Sequence, residues 1–224
     1  MLPQVATRAG HVKVKSARRK KISSTKWLER QLNDPYVIAS RHEGYRARSA
    51  YKLIQLNNQF NFIKQRQKIL ELGSAPGSWT QVSVNIAGKG NVFAADIKEM
   101  EPVEGAKFLK LDITNNDAKE KITHFVGSKV NVVLSDMASS STGHSSTDHL
   151  RTMLLCEASF EIAKSILFPG GSFVAKVIQG GTENKLLAEL KNSFRIVKHA
   201  KPDSSRSASS ELYVVAKNFR QFNA

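Results

Sequence analysis

The stretch KILELGSAPGSWTQ, Lys68 to Gln81, constrains the fold more than any other part of the chain. Strand-compatible residues run into Gly73, Pro76 and Gly77, and a helix-like segment follows. A strand, a glycine turn and a helix start belong to an open α/β sheet, whose ligands bind beyond the C-terminal strand ends. Glycine lets backbone come close to a ligand, and the helix start offers free N–H groups. Alone, a Gly-x-x-x-Gly turn is equally a plain tight connection.

The rest of the chain supports a sheet. Strands are predicted near 68–72, 91–96, 106–111, 130–135, 171–177, 194–199 and 211–217, with helices near 78–88, 115–126, 147–168 and 182–193. Such alternation predicts a mostly parallel sheet with helices on both faces. The end breaks the pattern: FRIVKHAKP and SSELYVVAKNF are joined only by DSSRSASS. A parallel crossover needs about a dozen residues or more, so this pair is predicted to be an antiparallel hairpin. Ahead of the sheet, RARSAYKLIQLNNQF reads as helix. Ala47, Ala50, Ile54 and Phe60 fall near one stripe, with Arg48, Lys52, Gln55 and Gln59 opposite.

A chain of 224 residues suits one α/β domain. Its formal charge is +15, which favours a polyanionic partner. Residues 1–30 hold nine Lys or Arg against Glu29 alone, supplying +8 of that total. Residues 1–25 therefore read as a flexible basic arm, and 26–224 as a single domain. An Arg-rich, acid-poor start is also compatible with a mitochondrial transit peptide. The single Cys156 excludes an internal disulfide and a multi-cysteine zinc site. No apolar run reaches the roughly 18 residues of a membrane span, and no signal-peptide core is present. A cytoplasmic monomer without membrane association is the expectation.

Two acids sharpen the glycine turn. Asp96 ends NVFAAD, nineteen residues after Gly77, where an acid can accept hydrogen bonds from both hydroxyls of a ribose. Asp112 ends KFLKLD, within reach of an adenine amino group, although such an acid is also a common helix cap. Phosphate-binding patterns are missing. AGKGN lacks a hydroxyl residue after Lys89, Ala75 stands where a dinucleotide motif has its second glycine, and Pro76 removes a donor. An adenosine ligand without pyrophosphate fits better, and S-adenosylmethionine is the common one.

LGSAPGSW, LSDMA, FVAKV and SSELYVVA, preceded by RARSAYKL, occur in the order found in the FtsJ heat-shock 2′-O-ribose methyltransferases of large-subunit (23S) ribosomal RNA, which this chain resembles from about Ser24 to its end. The resemblance implies a Rossmann-like methyltransferase fold of seven strands with one antiparallel strand in the final hairpin. It implies an S-adenosylmethionine pocket lined by Gly77, Trp79, Asp96, Asp112 and Asp136. It also implies a catalytic quartet of Lys52, Asp136, Lys176 and Glu211, and a uridine substrate in the assembled large subunit.

Each member of the quartet has an ordinary reading as well. Lys52 lies on a polar helix face, Asp136 follows an apolar strand, and Glu211 stands at a hairpin rim. Lys176 is harder to dismiss, because GGSFVAKV puts it in a central strand and lysine is rarely buried without a partner or a task. Methylating a ribose hydroxyl is an in-line displacement that must also remove a proton. Lys176 can take that proton only when neutral, which requires a pKa lowered from about 10.4. Burial, Lys52 and a cofactor sulfonium push it down, while Asp136 and Glu211 push it up and orient the lysines. The reaction needs no metal, and His144 and His149 in ASSSTGHSSTDH have no third ligand near them in sequence. That polar loop, Ala138 to His149, is long enough for a lid.

For RNA, YVIASRHEGYRARSAYK mixes Tyr36, Tyr45 and Tyr51 with Arg41, Arg46 and Arg48, suited either to stacking an exposed base or to packing the first helices. A non-catalytic ribosome-assembly factor of the same fold is the alternative function, opposed by the intact quartet. An NAD-dependent oxidoreductase is opposed by the missing dinucleotide motif.

Overall fold

A computed structural model describes residues 12–14, 22–139, 143–178 and 183–220. In chain order these form α1 (Ile22–Leu32), α2 (Pro35–His42), α3 (Ala50–Phe60), β1 (Ile69–Leu72), α4 (Ser78–Ala87), β2 (Val92–Asp96) and β3 (Ala106–Lys110). They continue as α5 (Ala118–Val126), β4 (Val130–Ser135), α6 (Ser145–Ile166), β5 (Leu167–Ile178), α7 (Glu183–Ser193), β6 (Phe194–Ala200) and β7 (Glu211–Phe219). The strands make one sheet in the order β3-β2-β1-β4-β5-β7-β6. The first five are mutually parallel, and β7 runs antiparallel to both of its neighbours. This is the Rossmann-like architecture with the terminal hairpin expected from the short Ser-rich connection. The strand order turns back between β1 and β4, which opens a crevice at their C-terminal ends.

Burial on both faces explains the continuous apolar strands. Leu70 and Leu72 pack with Ile122, Phe160 and Leu186 from α5, α6 and α7. Ile69 packs on the other face with Leu53, Leu56 and Val82 from α3 and α4. Among the described residues, no helix is long and apolar enough to cross a membrane.

Several boundaries differ from expectation. Helix α1 starts at Ile22, inside the segment read as a basic arm, and most of that arm lies outside the described residues. Residues 12–14 are placed, with Asn33 accepting from the Val12 amide (2.7 Å) and donating to its carbonyl (2.9 Å). On α3 the deeply buried stripe is Ala50, Leu53 and Leu56, whereas Ile54 and Phe60 are only partly buried and Ala47 precedes the helix. This helix is covered on two sides, so Ile54 turns to Tyr36 and Tyr51 while the leucines face the sheet. Helix α6 starts at Ser145, with Asp148 in a first turn that favours an acid. The polar loop therefore ends at His144, and its residues 140–142 lie outside the described set.

Glu71 is the anomaly in the core. Strand alternation turns it to the Ile69 face, where it is 1% exposed and accepts a hydrogen bond from Thr80 Oγ1 at 2.7 Å. Burial pushes its pKa up to about 8; the Thr80 bond opposes the rise, and Asp136 and Asp96 add to it. A carboxyl that holds its proton more tightly when folded loses stability as pH rises. Urea unfolding of the wild-type chain should therefore show stability falling between pH 4.5 and about 8, by at most about 5 kcal/mol from this group. Glu71→Gln should remove that slope. Identical slopes in both proteins would show that Glu71 is ionised in the fold.

Candidate active site

At the C-terminal ends of the parallel strands lies a cleft of about 760 Å³, lined by Gly73, Asp96, Asp112, Asp136, Met137 and Leu154 among others. Asp96 ends β2 and is fixed by two amides: Ala75 N donates to Oδ2 and Lys98 N to Oδ1, both at 2.8 Å. Asp112 follows β3. It does not cap α5, which starts after Asp117, but folds its own turn by accepting from Thr114 N (2.9 Å) and Oγ1 (2.7 Å). These bonds hold its carboxyl below the usual carboxylate range. Gly73 is required by close approach: a Cβ there would stand 2.2 Å from Met137 Cγ, and its φ is +76°.

Gly77 and Trp79 are not among the cleft-lining residues. Gly77 precedes α4 with φ +104°, and a Cβ on it would meet Arg46 and Met100. The Trp79 side chain is turned into the core, 2% exposed, with Nε1 donating to Ser49 O at 2.8 Å.

The predicted quartet converges from four separate elements. Lys52 comes from α3, Asp136 from the end of β4, Lys176 from β5 and Glu211 from the start of β7. Lys176 Nζ donates to Asp136 Oδ1 and to the Asp136 carbonyl, both at 2.9 Å, and lies 3.8 Å from Glu211 Oε1. Lys52 Nζ lies 3.1 Å from Glu211 Oε2. Lys176 is 7% exposed, a lysine within the core of the sheet.

The balance left open by the sequence resolves in favour of the carboxylates. Burial is the largest influence on Lys176 and pushes its pKa down, but Asp136 and Glu211 together raise it above the ordinary lysine value. Conversely, burial would raise Asp136 and Glu211, and Lys176 and Lys52 hold both below their ordinary values. These directions favour an ammonium on Lys176 facing carboxylates on Asp136 and Glu211. Removing one partner of a buried pair strands the other and costs about 3–5 kcal/mol.

Tyr213 belongs to this site and was missed in the sequence. It pairs with Lys176 across the β5–β7 ladder, and its hydroxyl donates to Asp136 Oδ1 at 2.6 Å. Burial and Asp136 raise its pKa well above the ordinary tyrosine value, so it remains a donor. Its ring lies 5.6 Å from Lys52 Nζ and 5.6 Å from the Trp79 ring. Trp79 therefore braces the quartet through Tyr213. The only sequence signal was the tyrosine two residues after Glu211, indistinguishable from an ordinary strand aromatic.

The tyrosine–arginine segment divides. Tyr36 and Tyr51 are buried with ring centroids 5.3 Å apart, and Tyr45 meets Tyr51 edge-on at 6.0 Å. Arg46 donates to the carbonyls of Pro76 (2.9 Å), Glu101 (2.5 Å) and Pro102 (2.8 Å), tying the glycine turn to its neighbour. Arg48 pairs with Asp34 and donates to Ser204 O. Packing, not base stacking, accounts for Tyr36 and Tyr51, because their rings are already covered. Arg41 stays exposed. Among the described residues no three His, Cys, Asp or Glu side chains converge as a metal site would require.

A family model described as FtsJ-like methyltransferase matches residues 45–219. A protein of Jannaschia sp. (strain CCS1) named ribosomal RNA large subunit methyltransferase E is 49% identical over 218 residues, covering 93% of this chain and 92% of its own. A protein of the same name from Paramagnetospirillum magneticum is 50% identical over 215 residues, covering 93% and 88%. Among solved structures, a Plasmodium falciparum protein described as a ribosomal RNA methyltransferase matches with a TM-score of 0.69 at 32% identity, covering 78% of this chain and 98% of its own.

Tyr213→Phe tests the brace. Losing a hydrogen bond to a buried carboxylate should destabilise the chain by about 1.5–3 kcal/mol in urea unfolding at pH 7. Unchanged stability would mean that water replaces the hydroxyl beside Asp136.

Proposed function

This chain belongs to the FtsJ-like methyltransferase family, and on that footing we propose that it methylates large-subunit ribosomal RNA. In this reading S-adenosylmethionine is the donor and the 2′-hydroxyl of a uridine in the assembled subunit is the acceptor. The observation that carries it is Asp136, which both lines the cleft and pairs with Lys176. Ligand cleft and ion quartet share one carboxylate.

The residues of the cleft fit that donor. Three carboxylates border it against two cations, Lys98 and Arg151, a lining that suits a ligand bringing hydroxyls, an ammonium and a sulfonium. Asp96 would accept from ribose hydroxyls and Asp112 from an adenine amino group, with Ile97, Ile113 and Met137 as apolar walls. Gly77 and Trp79 shape the site from behind, Gly77 through its turn into α4 and Trp79 through its contact with Tyr213. When bound, S-adenosylmethionine supplies an electrophilic methyl carbon.

The chain's own residues then handle the proton. Lys176 is the general base, and its resting ammonium must first be discharged. The proton leaves to solvent, because Asp136, 2.9 Å away, is held below the ordinary carboxylate range and does not keep it. Added positive charge in the cleft and exclusion of water both lower an ammonium pKa. Lys52 engages Glu211 at 3.1 Å, which weakens the hold of Glu211 on Lys176 at 3.8 Å. Glu211 and Lys52 position the acceptor ribose.

Radiolabelled S-adenosylmethionine incubated with undermethylated large subunits should label one ribose, located by mapping the modified nucleotide. Lys176→Met should abolish transfer while titration calorimetry still detects donor binding. In the wild type, kcat should rise with pH through neutrality into the alkaline range, since the base works only when deprotonated. A kcat independent of pH would leave Lys176 as a charged positioning group.

A further inference from the structure

Beside the quartet lies a second cavity, of about 440 Å³, that shares no lining residue with the cleft. Lys52 and Glu211 line it on the quartet side. Arg30 and Gln31 of α1, Arg48, and Arg206 in the β6–β7 loop line much of the rest. Four cations thus face two carboxylates: Glu211, already shared by Lys52 and Lys176, and Asp34, which pairs with Arg48 and lies 3.7 Å from Arg206. Two positive charges are left over. Arg30 makes no ion pair among the described residues.

Hydrogen-bonding capacity is left over as well. Arg48 Nε, Arg206 Nε, Ser204 Oγ and Ser205 Oγ are buried without a partner among the described residues, and Arg48, Ser204 and Arg206 line the cavity. Native folds pair nearly all such groups, so the cluster implies an acceptor-rich ligand. Burial also pushes the Arg48 guanidinium below its ordinary pKa, against the opposing pull of Asp34. An anion would relieve both conditions.

An aromatic ring completes the arrangement. Trp27 precedes Arg30 and Gln31 by three and four residues on α1, so the three share one helix face. Trp27 is 54% exposed, while the other tryptophan is buried. Arginine forks match phosphate oxygens, and an exposed indole stacks any base.

We propose that the arginine-lined cavity and Trp27 form a subsite for a nucleotide flanking the target ribose, its phosphate among Arg30, Arg48 and Arg206 and its base on Trp27. This rests on the RNA reading above. An acidic peptide would satisfy the arginines but leave the indole without a planar partner.

The test uses the full chain with Trp27→Ala, Trp27→Phe and Arg30→Gln, none of which breaks an ion pair seen in the structure. Donor binding by each variant reports an intact fold. A short single-stranded RNA should quench wild-type tryptophan emission, and the quench should vanish in Trp27→Ala, where only buried Trp79 remains. On undermethylated subunits Trp27→Ala should raise KM roughly tenfold with a smaller effect on kcat, and Trp27→Phe should recover most of the loss. Arg30→Gln should reduce the slope of log affinity against log salt by about one. Quenching that persists in Trp27→Ala, an unchanged KM, an unchanged salt slope, or quenching by polyglutamate in place of RNA would each overturn the subsite. If the wild type methylated no subunit RNA, the function proposed above would fail, while the oligonucleotide quench would still decide the subsite.

Discussion

The Lys176–Asp136 ion pair is the interaction around which the site is arranged. It is buried, short and fully charged, and it holds only because Glu211 and Lys52 complete an equal number of each sign. Burial alone would discharge the lysine; two carboxylates keep it charged. Four elements deliver these side chains, so the quartet exists only when β4, β5, β7 and α3 are docked together. Tyr213 and Trp79 add a rigid aromatic backing that fixes Asp136 from the core side. An arrangement that strains against its own surroundings in this way is more readily explained by chemistry than by stability.

Charge is unevenly shared between the two cavities beside that quartet. The cleft on one side carries Asp96, Asp112 and Asp136 with Lys98 and Arg151, and the cavity on the other carries Arg30, Arg48, Lys52 and Arg206 with Glu211. In the proposed reaction a cationic methyl donor and a polyanionic acceptor would demand opposite fields, and a surface of one sign would repel one of them. The net charge of +15 therefore conceals a recess in which carboxylates outnumber cations. Lys176 touches carboxylates belonging to both cavities, Asp136 of one and Glu211 of the other.

Much of this was legible in the sequence because it depends on local rules. A glycine turn between strand and helix, acids at successive strand ends, and a connection too short for a crossover each have one economical solution. Other features were hidden because they depend on what packs against what. Helix α3 carries two adjacent apolar stripes, and only its covering by α2 on one side and the sheet on the other decides that Leu53 and Leu56 go deepest. Tyr36 and Tyr51 could stack a base or each other, and their burial decides for each other. Trp79 follows the glycine turn in sequence, yet its ring turns away from the cleft toward Tyr213. The ionisation of Lys176 was beyond reach, since it is a difference between large opposing effects set by distances of a few tenths of an ångström.

The reversed direction of β7 has a practical corollary. Because it runs against its neighbours, its opening residue Glu211 sits opposite Ile178 at the rim that holds the quartet, and its last, Phe219, sits opposite Phe194 at the far rim. Polypeptide appended after β7 thus departs from the side of the molecule remote from the chemistry. An affinity handle or surface tether belongs there.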